Sequence, residues 1–174
     1  MESLKTELHC HNIFSNGHVG TLEPIYDCNV TIPKQLEQAY LAGLDVLFVT
    51  NHNTIDGYRQ MLEYKKNHQK FDALNVYPAE EVTTDNESHV LVYGIDHSIK
   101  SGLSLHEVLD EAKKQDAVTI APHPFSLLDA LREDSVYCDL FEEFNSSNVD
   151  VYSNLRAKKF AKEKSLHVVA GSDS

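Results

Sequence analysis

The chain has 174 residues, with 15 basic against 27 acidic side chains and a formal charge of -12 when histidine is neutral. That length suits a single domain over residues 1–174, and 41% hydrophobic with 24% charged residues excludes a disordered or low-complexity chain. The acidic balance, with no cluster of Lys and Arg among aromatics, argues against stable binding of duplex nucleic acid, although bound divalent cations would still attract a small phosphorylated substrate.

The opening MESLKTEL lacks the apolar core of a signal peptide, and no run approaches the roughly 18 apolar residues that cross a bilayer. A cytoplasmic protein without membrane contact is expected. Cys10, Cys28 and Cys138 are odd in number and widely spaced, which predicts reduced thiols and no disulfide framework. No motif speaks to oligomeric state.

In chain order, the pattern predicts a strand near 4–9, a helix near 32–42 and a strand at Val46–Val49. A helix near 55–69 and strands near 74–80 and at Val90–Tyr93 follow. Leu105, Val108, Leu109 and Ala112 share one helical face behind a Ser104/Glu107 capping box. Strands at Val118–Ala121 and near 138–144, a helix near 154–164 and a last strand at Val168–Ala170 complete the series. The alternation gives roughly seven βα units, the pattern of a parallel α/β protein.

An open doubly wound sheet would give much the same string, but the polar residues favour a closed barrel. Nearly every apolar run exits at a residue able to bind metal: His9 and His11, His52, the Glu80–Glu81 pair, His123 and Asp173. In such barrels the carboxyl ends of the strands bring sequence-distant side chains around one mouth. His9 and His11 flank Cys10, so on an extended segment both imidazoles project to one side with Cα atoms about 7 Å apart, within reach of one ion. The same alternation turns Cys10 away into the core. Imidazole with carboxylate suits Zn, Mn or Fe, and several such ions together favour hydrolysis. No phosphate-cradling motif accompanies Gly17 and Gly20.

LHCHNIFSNG at 8–17, VTNHNT at 49–54, PAEEVTT followed by HVLVYGI, APHPF at 121–125, EEFNSSN at 142–148 and AGSDS at 170–174 together resemble, in number and order, the motifs of the polymerase and histidinol phosphatase (PHP) superfamily. The resemblance implies an α/β fold, a distorted (β/α)7 TIM-like barrel holding two or three divalent metal ions. It implies ligation by His9, His11, His52, Glu81, His89, His123 and Asp173. Glu80 competes for the bridging role, and the Val-Thr that follows selects Glu81. His9, His11, Glu81 and Asp173 are then expected around the more buried metals, with His52, His89 and His123 nearer the mouth. The implied chemistry is attack on phosphorus by a metal-bridging hydroxide held by Glu81 and Asp173, with His52 as a further candidate. The implied substrate is a small phosphorylated metabolite, nucleotide or short oligonucleotide, histidinol phosphate among them.

Three departures from the family pattern stand out. Asn16 occupies the place of an aspartate ligand, which predicts a weaker or absent third metal. Asn51 replaces an aspartate expected to orient an imidazole. The pattern continues with a histidine directly after Ser174, so a native chain longer than 174 residues, with intact mass above 19.6 kDa, is expected. Together these leave a degenerate, non-catalytic metal-binding module as the alternative function. Exonuclease work of the polymerase-attached kind is disfavoured by the acidic charge. His18, His68, His97, His106 and His167 match no motif and are expected at the surface or behind the metal ligands. Asn145 either supports the site or ends a strand. The segment from His18 to Thr31 is longer than its family counterpart, so Tyr26 and Asp27 are candidates for a lid or a substrate contact, against an ordinary surface insertion.

Overall fold

The computed structural model of the chain describes residues 3–20 and 26–174; part of the long segment after His18, residues 21–25, lies outside them. Seven strands form one sheet in sequence order: β1 (Thr6–Glu7), β2 (Val46–Val49), β3 (Asn75–Thr83), β4 (His89–Tyr93), β5 (Val118–Ala121), β6 (Leu140–Asn145) and β7 (Val168–Gly171). The ends of the sheet approach each other: Asp173 N–H donates to His9 O at 2.7 Å and His11 N–H to Ser174 O at 2.8 Å. The result is the nearly closed, distorted barrel expected from the sequence.

Four α-helices cover it: α1 (Ile32–Ala42), α2 (Asp56–Lys66), α3 (Leu105–Lys114) and α4 (Val151–Lys164). In α1 Pro33 sits in the first turn, where its missing N–H costs nothing, and Gly43 ends the helix at φ 66°. Ser104 and Glu107 form the expected capping box of α3, and Asp150 caps α4 by accepting from Ser153 N–H.

The departure from a fully parallel barrel is β4. It pairs antiparallel with both β3 and β5, because β3 and β4 are joined by a tight turn rather than a helix. Only residues 84–88 separate them, far short of the dozen or so that a parallel crossover needs. The link from β5 to β6 likewise carries a 3-10 helix, Arg132–Tyr137, in place of an α-helix. β1 is shorter than expected, since the chain leaves regular pairing just before His9.

Strand alternation divides the apolar residues into three groups. Leu36, Leu47, Val49 and Met61 pack between the sheet and α1 and α2. Val82, Val92, Val108 and Phe141 do so on the side of α3 and α4. Ala79, Leu91, Tyr93 and Ile120, joined by Leu8, Phe48, Leu140 and Val169, fill the barrel interior. Tyr93 anchors this floor by donating its hydroxyl proton to Leu8 O. Leu91 is 1% exposed, so Leu91→Ala is expected to cost about 2–5 kcal/mol. Leu41→Ala, at a site 73% exposed, should stay within about 0.5 kcal/mol in urea denaturation.

Candidate metal centre

Above the apolar floor, the inward positions switch to ionisable groups. Glu81 lies opposite Leu91 on β4, and the exit of β2 joins it through a bridge between His52 and Glu81. Alternation turns its neighbour Glu80 outward, where a carboxylate oxygen accepts from Ile99 N–H at 2.5 Å. The reversal of β4 places its first residue, His89, at the end of the barrel where the other strands finish.

All seven residues singled out in the sequence converge there. Glu81 is 1% exposed and its two oxygens divide five imidazoles between them. Oε2 lies 3.4 Å from His9 Nε2, 3.2 Å from His11 Nε2 and 3.5 Å from His52 Nδ1, while Oε1 lies 3.1 Å from His89 Nδ1 and 3.0 Å from His123 Nε2. Asp173 Oδ1 stands 3.3 Å from His9 Nε2 and 3.2 Å from His11 Nε2. The Asp173 side chain, 22% exposed, is the most open of the seven, against its expected place in the deeper part of the site. His123 and Asp173 adopt φ of 28° and 56°, so two of these side chains are carried on backbone that non-glycine residues rarely adopt.

The partners fix which nitrogen faces inward. His9 Nδ1 is 3.0 Å from Glu142 Oε1, an acceptor only, so it carries a proton and Nε2 is the nitrogen turned toward Glu81 and Asp173. Ser15 Oγ donates to Asn51 Oδ1 at 3.1 Å, so His11 Nδ1, 3.2 Å away, must donate to Ser15, and its Nε2 likewise faces Glu81 and Asp173. Buried nitrogens of His52, His89 and His123 have no hydrogen-bond partner. Imidazole nitrogens gathered around shared carboxylates, some unpartnered and the others holding protons that a cation can displace, are a donor set that fits divalent cations. The trios His9–His11–Asp173, His9–Glu81–His123 and His11–His52–Glu81 each bring ligand atoms within 4.8 Å of one another.

One supporting residue was not singled out from the sequence. Glu142, 1% exposed, holds His9 and accepts from His123 N–H at 2.6 Å and from Asn145 Nδ2 at 2.9 Å. Asn145 ends β6 and also donates to Asp173 Oδ2 at 2.9 Å. Glu142 is in phase with the interior-facing Leu140, and the register shift between Glu142 and Phe144 brings Asn145, three residues on, to the same side. Gly171 keeps this corner open, since a Cβ there would collide with Glu142 Oε1 and His9 Cβ. Asp27, expected as a candidate for a lid or a substrate contact, has its carboxylate 3.6 Å from His11 Nδ1 and 3.9 Å from His52 Nε2.

The two asparagines differ from their expected roles. Asn51 touches no imidazole: its Oδ1 accepts from Asn12 N–H and Ser15 Oγ, so it acts on His11 through Ser15. Asn16 spends its amide on the backbone of Asp27 and Cys28. His18, His68, His97, His106 and His167 are exposed. Cys10 is buried, donates its thiol to Phe48 O and has its pKa raised well above the usual value, chiefly by burial.

No family model matches the chain. Its fold is nevertheless shared with known proteins. The chain is 31% identical over 166 residues to the uncharacterized protein MJ1587 of Methanocaldococcus jannaschii, covering 92% of this chain and 93% of that one, and it belongs to the same family. Among solved structures, it is similar to a provisionally assigned metal-dependent phosphoesterase from Bifidobacterium adolescentis, with a TM-score of 0.72, 16% identity, and coverage of 99% and 88% of the two chains. It is also similar to the lesion-specific endonuclease PfuEndoQ from Pyrococcus furiosus, with a TM-score of 0.70, 16% identity, and coverage of 98% of this chain and 48% of that one. At such identities the likeness is one of fold. Among the described residues no helix is long and apolar enough to cross a membrane.

The charges in the centre oppose one another. Burial works against protonation of His9, yet the carboxylates of Glu142, Glu81 and Asp173 hold its pKa well above the ordinary range. For His11 burial is likewise outweighed, by hydrogen bonds to Asp173 and Glu81, and the pKa rises to about 9. Burial would raise Glu81, but the imidazoles hold it far below the usual carboxylate range. Burial dominates at His52 and lowers it to about 3. The signs give a pH dependence for metal-free protein. The contribution of His11 is complete below about pH 6.5 and is lost as pH climbs toward about 9. The unfolded chain protonates His52 below about pH 6.5 while the folded one resists, so acid also destabilises. Chelated protein should therefore melt at its highest temperature near pH 6.5 and lower on either side. A saturating divalent cation, which takes the place of the protons, should flatten the alkaline fall. A profile indifferent to pH in chelated protein would contradict this assignment of charges.

Proposed function

We propose that the chain is a PHP domain acting as a metal-dependent phosphoesterase on a small phosphorylated metabolite, nucleotide or short oligonucleotide. The observation that carries the proposal is the Glu81 carboxylate set among five imidazoles, with a ring nitrogen of each turned toward it. His9, His11, His52, Glu81, His89, His123 and Asp173 would hold two or three ions of Mn, Zn or Fe. Bound divalent cations supply Lewis acidity toward a phosphoryl oxygen and lower the pKa of water.

The residues around the centre suit such a substrate. A cleft of about 480 Å³ opens on His52, Glu81, His89, His123 and Asp173, and Ser126, Ser147 and Asn148 also line it. None of its lining residues is Lys or Arg, so the protein itself offers a phosphate no fixed cation other than protonated histidine. Hydroxyl and amide groups can donate to phosphoryl or sugar oxygens without adding charge. The roles of Glu142 and Asn145 are to fix the His9 ring and the Asp173 carboxylate before substrate arrives. The cleft's volume and the chain's charge of -12 favour a compact phosphate ester over a long polyanion.

Chelated protein reloaded with Mn should hydrolyse p-nitrophenyl phosphate or its bis-ester. Glu81→Gln and His11→Ala should each lose more than the roughly 10–100-fold typical of an outer partner of a metal ligand, with the circular dichroism spectrum kept. Unchanged turnover in both variants would remove the proposal. Absence of turnover with every metal, in protein that does bind cations, would instead favour the non-catalytic module.

A further inference from the structure

His11 and His52 stack, their ring centroids 4.7 Å apart, and each presents one nitrogen to Glu81. Their other nitrogens face a second carboxylate, Asp27, at 3.6 Å and 3.9 Å. Those separations are too long for hydrogen bonds but lie within ion-pair reach. Glu142 stands likewise behind His9, hydrogen-bonded to its Nδ1, whereas the Nδ1 proton of His11 goes to Ser15 Oγ and Asp27 backs the two rings at ion-pair range.

Asp27 does not reach this place by chance of an exposed loop. Asn16 Oδ1 accepts from Asp27 N–H at 2.7 Å and from Cys28 N–H at 3.0 Å, and Asn16 Nδ2 donates to Cys28 O at 2.8 Å. Farther along, Val30 N–H donates to Cys28 Sγ at 3.3 Å and Ile13 N–H to Val30 O at 3.0 Å. The register of residues 27–30 is thus locked to the chain that carries His11.

We propose that Asp27 is a positioning residue of the metal centre, backing His11 and His52 as Glu142 backs His9, and that Asn16 acts by presenting Asp27. A carboxylate behind an imidazole fixes ring orientation and raises the basicity of the opposite nitrogen, which strengthens its bond to a cation. Asp27 itself makes no bond to the ion. The inference rests on the metal centre proposed above.

The test is titration of chelated, full-length protein with Mn, following free and bound ion by electron paramagnetic resonance, for the unaltered chain, Asp27→Asn, Asn16→Ala and Glu142→Gln. Asp27→Asn should weaken Mn binding by about 10–100-fold at unchanged stoichiometry, with the melting temperature of chelated protein close to that of the unaltered chain. Asn16→Ala should move affinity in the same direction, and the double variant should be no worse than the weaker single one, because both act through the same carboxylate. Glu142→Gln, acting through His9, shows that the assay detects such an effect. If Glu142→Gln weakens binding while Asp27→Asn matches the unaltered chain, the inference falls and the metal centre stands. Loss of one whole ion at saturation in Asp27→Asn also overturns it, by making Asp27 a direct ligand. Failure of the unaltered chain to bind Mn, Zn or Fe overturns the inference together with the function.

Discussion

The structure turns on one buried carboxylate. Removing an ion such as Glu81 from water costs roughly several kcal/mol unless partners offset it, and here five imidazoles do so, carried after β1, β2 and β5 and at the start of β4. The arrangement is one-sided in chemistry. Histidine nitrogens that could have bonded to other side chains instead converge on two carboxylates, and three buried ones are left without a hydrogen bond. A protein shaped only for stability would place apolar side chains there, as it does one layer below with Leu91, Tyr93 and Ile120. A cation resolves the tension, because it satisfies nitrogen and carboxylate donors at once.

The barrel exists to hold that set. Because β4 is reversed, its first residue rather than its last reaches the mouth, so His89 joins a ring otherwise built from strand exits. Backbone strain at His123 and Asp173 is sustained by the bonds around it: His123 N–H to Glu142, Asp173 N–H to His9 O, and Asn145 to the Asp173 carboxylate. Ionisable groups and apolar floor share the same strands, separated by one turn of the pleat.

Much of this is legible in the sequence because strand periodicity and metal-binding residue types coincide at the run ends. The predicted bounds of β2, β5 and α1 agree with those observed, as does the capping box of α3. What escaped depends on local irregularity or on tertiary contacts. The reversal of β4 was available from the five residues between β3 and β4, too few for a crossover, but the strand–helix alternation elsewhere overrode that count. Glu142 faces inward in phase with Leu140 but escaped because its role is to hold His9, a tertiary contact with no spacing signature. Asp27 stood out only as a candidate lid or substrate contact, because its approach to His11 and His52 is set by the Asn16 amide, a tertiary bond with no periodic signature.

The central claim is that the cluster around Glu81 binds transition-metal ions. Elemental analysis of protein purified without chelator tests it most directly. The account predicts about two or three Mn, Zn or Fe ions per chain, in keeping with a multinuclear hydrolytic centre. No more than a trace of metal, in protein that is folded and remains metal-free after incubation with each ion, would contradict it.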